Sequence, residues 1–467
     1  MFEIIVGGNV SLIEKCPTGI AGIDGLLGGG FPRGNIILLA GTPGAGKTTF
    51  AAKFIYEGAK RYGEPGIYLS FLESKYDFYR YMKALGMDFE ELERRGLFTY
   101  IEGVQTQSTE GVEESLKEFL RLVIESNAKR AVIDSVTAIM QLIGFRGARE
   151  ILKNAIIAGL KPLNVTAILI AELAIGNPNV GFGVEEFLVD GVILLRSIIE
   201  GGVLIRRMEI RKMRGSDIPR AEIYFDIVPN EAIRVYLQER IEEIPAPSKE
   251  VTYEVPIKEF THIFGPTLRR GTQIALITQE SSAGLTIALS LLLPFVKKYG
   301  GKLLIRSFSK SPSIIESLIN DVLKALGYRE ESIDVHIESL QSTYRPIYVL
   351  GHQIRETDAR LRPDFTIIDS LNQIPIIHGW KDFISVHSDM VLTRRRLKIT
   401  SIYIYYERRE RPLPIPLDIY DKIIKVRPEI EYNCYVMRSF VSGVNHYLRP
   451  VKACFTERGI KWSVTSE

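Results

Sequence analysis

Short apolar runs alternate with segments of helical periodicity along both halves of the chain. In the first half the runs are Ile36 to Ala40, Gly66 to Phe71, Leu97 to Ile101, Arg130 to Asp134 and Thr166 to Ala171. Each has the length of a strand buried on both faces, and helical spacing follows, most clearly over Thr49 to Ala59. This alternation predicts an α/β fold with a mainly parallel, twisted sheet flanked by helices. Two later runs, Gly191 to Arg196 and Leu204 to Arg211, are spaced as a hairpin that closes the sheet. Between about 241 and 259 the pattern breaks into Pro245, Pro247, Ser248 and Pro256 with mixed charges. That stretch reads as a linker between a first domain, 1–240, and a second, 260–467.

The second half repeats the order of the first. Gly34-Asn35-Ile36-Ile37-Leu38-Leu39 corresponds to Gly271-Thr272-Gln273-Ile274-Ala275-Leu276, and Ala131-Val132-Ile133-Asp134-Ser135 to Thr366-Ile367-Ile368-Asp369-Ser370. The two matches are separated by similar lengths of chain in each half, so two tandem copies of one domain are expected.

Composition changes this picture little. The chain has 467 residues, 46% apolar and 25% charged, with a net charge of +3, which suits an ordinary soluble protein of two or three domains and no overall basic bias. Cys16, Cys434 and Cys454 are widely spaced and suggest neither a metal site nor a disulfide framework, as in a reducing cytosol. The N-terminus lacks the layout of a secretory signal, and the most apolar stretch, around Leu285 to Val296, is too short to span a bilayer. A cytoplasmic protein without a membrane segment is expected. Sparse Gln and Cys beside plentiful Ile, Arg, Glu and Tyr fit a thermophilic, archaeal-like source.

The chemistry is concentrated at residues 41 to 48. Gly41, Thr42, Pro43, Gly44, Ala45, Gly46, Lys47 and Thr48 fill the G-x-x-x-x-G-K-[ST] template between a predicted strand and a predicted helix that begins near Thr49. Glycines let successive backbone N–H groups converge on phosphate oxygens at a helix N-terminus. Lys47 would neutralise the terminal phosphates of ATP, and the Thr48 hydroxyl and Asp134 at the end of its strand would hold Mg²⁺. The second copy lacks this loop: its equivalent reads Thr278-Gln279-Glu280-Ser281-Ser282-Ala283-Gly284-Leu285-Thr286. Leucine replaces lysine at 285 and a carboxylate enters the cradle at Glu280, so tight ATP binding there is not expected, although Thr286 and Asp369 survive.

Three further blocks carry a family resemblance: Pro17 to Asp24 with Leu27 to Gly34, Gly183 to Val192, and Ile210 to Ser216. With the loop and Asp134 they resemble, in order over residues 17 to about 228, the ATPase domain of the KaiC-like branch of the RecA superfamily. The second half resembles it in architecture only. The resemblance implies tandem RecA-like P-loop NTPase domains and an ATPase that assembles as a homo-oligomeric ring, usually a hexamer, with nucleotide between subunits. It implies that Lys212 and Arg214 reach into a neighbour's site and that Glu172 senses the γ-phosphate. It also implies a catalytic glutamate after the second strand. There the chain reads Leu72-Glu73, with leucine at the usual position, so slow hydrolysis with Glu73 as the contributing carboxylate is expected. The second domain is expected to serve as a ring layer, a brake or a surface for an unknown protein partner.

Two alternatives stay open. One is a DNA repair or recombination ATPase related to RecA and RadA, for which Arg146, Arg149, Arg394 to Lys398, and Tyr403 to Arg411 with its interleaved tyrosines are the candidate contacts. A solvated loop or subunit interface is the preferred reading of the last two stretches. The other is a non-catalytic, nucleotide-dependent scaffold.

Overall fold

The computed structural model describes residues 13–465 apart from 104–108, 152, 154–157, 174–187, 201–202, 238–250, 280, 329–332, 342–345, 408–413, 415–416, 430–432 and 442–447. The chain divides into two compact units, Met1–Leu237 and Gln238–Glu467.

The sheet of the first unit is built from β1 (Ile36–Gly41), β2 (Gly66–Ser70), β3 (Phe98–Glu102), β4 (Arg130–Asp134), β5 (Thr166–Glu172), β6 (Gly191–Glu200), β7 (Val203–Met213), β8 (Glu222–Val228) and β9 (Ala232–Tyr236). Their spatial order is β9-β8-β7-β6-β1-β5-β4-β2-β3. Strands β6, β1, β5, β4, β2 and β3 run parallel, whereas β7, β8 and β9 are added antiparallel. Every residue of β1 is buried, as expected for a central parallel strand covered on both faces. Its side chains alternate between two cores. Ile37 and Leu39 pack with Phe50 and Phe54 of helix α1 (Lys47–Tyr62), while Ile36, Leu38 and Ala40 pack with Leu116 and Phe119.

The second unit contains β10 (Gln273–Thr278), β11 (Lys302–Ser307), β12 (Asp334–Ser339), β13 (Phe365–Asp369), β14 (Thr400–Tyr406), β15 (Lys422–Pro428), β16 (Cys434–Val441), β17 (Val451–Thr456) and β18 (Gly459–Val464). Their order is β18-β17-β16-β15-β10-β14-β13-β11-β12. Strand for strand this is the order of the first unit, so the expected repeat extends to the whole topology. Helix α2 (Ser281–Tyr299) occupies the place of α1. The apolar stretch around Leu285–Val296 is therefore a buried core helix with Pro294 inside it, packed on Ile274 and Leu276.

Several expectations need correction. The hairpin β6–β7 does not close the first sheet; β8 and β9 continue it beyond β7. Of the expected linker, 241–250 lies outside the described residues, while Thr252–Glu254 is a strand paired with Thr267–Arg269 inside the second unit. Cys434 and Cys454 form a disulfide between directly opposed positions of β16 and β17, against the expectation that the cysteines stay apart. Sequence spacing hid this because the two strands meet only through sheet register. Cys16 is free and buried. The disulfide closes a loop of 20-residue separation, so Cys434→Ser should lower the unfolding free energy of the second unit by about 3 kcal/mol. Denaturant titration of the oxidised variant and parent checks this.

Half of the basic run turns inward, while Arg396 and Lys398 are exposed. Arg394 and Arg395 lie at the end of helix α4 (Trp380–Arg396) and are buried. Arg394 pairs with Asp358 of helix α3 (Ile347–Leu361), and Arg395 pairs with Asp421. Tyr403 and Tyr405 are core residues of β14. These side chains therefore offer nothing to a nucleic acid. Arg408 to Arg411 and the side chains of Arg146 and Arg149 lie outside the described residues.

Candidate functional site

The loop from Gly41 to Thr48 joins the C-terminal end of β1 to the N-terminus of α1. Two of its glycines are required by space. A Cβ on Gly41 would stand 2.4 Å from the Leu195 carbonyl oxygen. Gly46 caps α1 in the left-handed region at φ 97°, where a Cβ would meet Ile227 at 2.9 Å. The loop is thus wedged between β6 and β8, with Pro43 and Gly44 at its exposed tip and Ala45 and Thr49 buried behind it. Thr42 is pinned from the side: its Oγ1 accepts from the Ser197 N–H at 3.3 Å and lies 3.3 Å from Ser197 Oγ.

Lys47 folds across the loop, its Nζ donating to the carbonyl oxygens of Gly41 at 3.0 Å and Thr42 at 3.2 Å. Burial lowers its pKa, opposed by the carboxylates of Glu172 and Asp134. Glu172 ends β5 beside Gly41 in register and is exposed, while its backbone N–H donates to Thr137 Oγ1 at 2.8 Å. Asp134 ends β4, buried beside Ser70 of β2. Its Oδ2 accepts from Thr48 Oγ1 at 3.0 Å and from Tyr68 OH at 2.8 Å. Burial raises the Asp134 pKa, and the bonds from Tyr68 and Thr48 pull it back. A hydroxyl and a carboxylate this close form a hard oxygen pair suited to Mg²⁺, with the lysine ammonium beside them for phosphate.

Glu73 lies in the turn after β2, where Ser70 Oγ accepts from the N–H groups of Leu72 at 3.3 Å and Glu73 at 3.0 Å. Tyr100 OH donates to the Glu73 carbonyl at 2.8 Å. Burial, then the negative charges of Asp134 and Asp77, push the Glu73 carboxyl up. Leu72 is 54% exposed.

The structure does not bring Lys212 and Arg214 to this loop. Lys212 Nζ donates to the Val189 carbonyl at 2.6 Å, and Arg214 Nη1 lies 3.5 Å from Asp190 Oδ1. Asp190 also accepts from the Ile36 N–H at 3.0 Å. Both basic residues therefore sit at the start of β1, five residues or about 16 Å of strand from the loop at its end. Arg214 is 61% exposed there.

Tyr68, Ser197 and Ile227 escaped the sequence reading. Tyr68 lies two positions before Ser70, and a tyrosine in an otherwise apolar strand signals a hydroxyl seeking a polar partner. Ser197 and Ile227 carry no local signal, because only sheet register brings β6 and β8 to the loop.

A family model for the KaiC ATPase matches residues 16–240. The circadian clock oscillator protein KaiC of Parathermosynechococcus lividus is 37% identical over 235 residues, covering 48% of this chain and 42% of the relative. KaiC of Parasynechococcus marenigrum is 35% identical over 228 residues, covering 47% and 44%. KaiC of Prochlorococcus marinus is 32% identical over 228 residues, covering 47% and 45%. The matched part of the chain thus spans less than half the length of these relatives. The matched segment holds the whole of the loop, Asp134, Glu73, Glu172, Lys212 and Arg214, and through it residues 16–240 of this chain match the KaiC ATPase family of the RecA superfamily.

Proposed function

We propose that the chain is a cytoplasmic regulatory ATPase that holds one MgATP per chain in its first unit and hydrolyses it slowly as a homo-oligomeric, hexameric ring. The observation that carries this reading is the separation of Lys212 and Arg214 from their own loop. The exposed Arg214 and the half-buried Lys212, at the far end of the same sheet, cannot reach a nucleotide bound at Gly41 to Thr48, but they can complete the site of a neighbouring copy. In this arrangement Lys47 and the loop N–H groups bind the phosphates, and Thr48 and Asp134 hold Mg²⁺. The metal, when bound, offsets phosphate charge. Glu73 accepts the proton of the attacking water, its raised pKa making it the better base. Leucine at the preceding position cannot share that task, which favours slow turnover. Glu172 orders groups at the γ-phosphate end. The second unit is the surface offered to a protein partner.

Mixing tests the in-trans assignment. Lys47→Ala and Arg214→Ala rings should each lack ATP turnover, and subunit exchange between them should restore part of it. Full activity of Arg214→Ala alone, or no recovery in mixtures shown to exchange, would remove the neighbour's role.

A further inference from the structure

In the second unit, the strand equivalent to β2 ends Ser307-Phe308-Ser309-Lys310 where the first reads Ser70-Phe71-Leu72-Glu73. The turns are the same: Ser307 Oγ accepts from the N–H groups of Ser309 at 3.3 Å and Lys310 at 3.1 Å. Lysine therefore stands where the first unit has its catalytic-position carboxylate. Its Nζ donates to Asp369 Oδ2 at 2.8 Å, and Asp369 is the fully buried counterpart of Asp134. Ser307 Oγ at 2.8 Å and Ser370 Oγ at 3.0 Å donate to the same oxygen, and Tyr406 OH donates to Oδ1.

Tyr406 in turn stands where the first unit has Glu172, as the last residue of β14. Asn372 holds its backbone from both sides, accepting from the Tyr406 N–H at 2.8 Å and donating to its carbonyl at 3.1 Å. The ring lies over Gly284, the counterpart of Gly46, where a Cβ would meet Tyr406 Cε1 at 2.9 Å. The Lys310 ammonium is 5.8 Å from the centre of that ring.

The charges complete the contrast. The first site combines Lys47 with Glu73, Asp134 and Glu172, an acidic set that needs added cationic charge. Among the described residues, which exclude Glu280, the second combines Lys310 with Asp369, and Leu285 and Tyr406 are neutral. We infer that Lys310 is a built-in cation in the place of the divalent metal, which offsets the charge of Asp369 and keeps the second unit's pocket filled and closed to MgATP. A metal would have to displace an ammonium and three hydroxyl donors from one carboxylate, and a phosphate would have to displace the tyrosine ring. The second unit is thereby held in one state whatever the nucleotide level.

Both tryptophans of the chain, Trp380 and Trp462, belong to the second unit, so tryptophan emission during urea unfolding follows that unit alone. Measurements are made on full-length Lys47→Ala protein, in which nucleotide binding by the first unit is weakened. There the emission midpoint should be the same with EDTA, with Mg²⁺ and with MgATP. Adding Lys310→Met should raise the unfolding constant on the order of a hundredfold, because Asp369 is left buried and uncompensated, and millimolar Mg²⁺ should reverse part of the loss. A midpoint that rises with Mg²⁺ or MgATP while Lys310 is present overturns the inference. So does a Lys310→Met midpoint equal to that of its parent, or a loss that Mg²⁺ does not relieve. Should Lys310→Met fail to fold, the arm with Lys310 intact still decides.

Discussion

Lys47→Ala should bind ATP at least about 30-fold more weakly than the parent and show no measurable turnover. Lys47 is 7% exposed at the mouth of the loop, and truncating one side of a desolvated charge contact costs about 2–5 kcal/mol of binding. Thr48 and Asp134 remain, but they serve the metal and cannot replace positive charge on the terminal phosphates. The fold should not suffer in parallel. Burial lowers the Lys47 pKa, so holding the charged ammonium there costs the folded state energy rather than stabilising it. Thermal unfolding without nucleotide should therefore be unchanged or slightly improved. Titration with a fluorescent ATP analogue, phosphate release and a melting curve separate the two effects. Wild-type affinity in the variant would mean that the loop does not bind phosphate through this lysine.

Asp358→Ala should destabilise the second unit by about 3–5 kcal/mol, a large share of a typical domain's 5–15 kcal/mol. Asp358 is the single carboxylate between two buried arginines. Its Oδ2 accepts from Arg394 Nε at 2.7 Å and its Oδ1 from Arg306 Nη2 at 3.2 Å. Arg306 retains Glu338, but among the described residues Arg394 keeps only the Tyr403 hydroxyl at 3.5 Å. Removing the carboxylate leaves a guanidinium buried without its counter-charge. Burial pushes the Asp358 carboxyl up, yet Arg394 and Arg306 outweigh it and hold the group below the usual carboxylate range. A depressed folded pKa means that the contribution is complete above the unfolded carboxylate's pKa, near 3.9. It is lost as pH falls through the folded value. The gap between parent and variant should thus be constant near neutrality and narrow in acid, as read by the tryptophan emission midpoint.

What the sequence revealed is what is written locally. The loop at 41–48, the strand ending in Asp134 and the repeat around Asp369 each lie in a few consecutive residues whose types admit one chemistry. Strands β1, β2, β4 and β5 were legible because both-face burial leaves nearly unbroken apolar runs. The rest depends on partners distant in the chain. Arg394 and Arg395 read as a solvated basic run until Asp358 and Asp421 are placed against them. Cys434 and Cys454 pair because β16 and β17 align in one register. Strands β8 and β9 carry interleaved charges such as Asp226 and Arg234, since one face is wet, and their pattern is weaker. The Lys310–Asp369 contact was visible only as a lysine in an unremarked turn, although alignment on Ser70 and Ser307 would have raised it.

The strand order described above has a cost during synthesis. Strand β1, apolar on both faces, pairs with β5 and β6, which begin only at Thr166 and Gly191. Its nearest followers in the chain, β2 and β3, lie at the other side of the sheet. Until the chain has grown past those later strands, the central strand and the helix after it have no permanent neighbours. Long-range parallel pairing of this kind folds slowly and exposes sticky edges while it waits. Strand β10 repeats the delay, since β14 and β15 begin at Thr400 and Lys422. A nascent chain of this protein therefore passes through two separate windows of vulnerability to aggregation. Truncations ending between a central strand and its partners should be the ones that require chaperones.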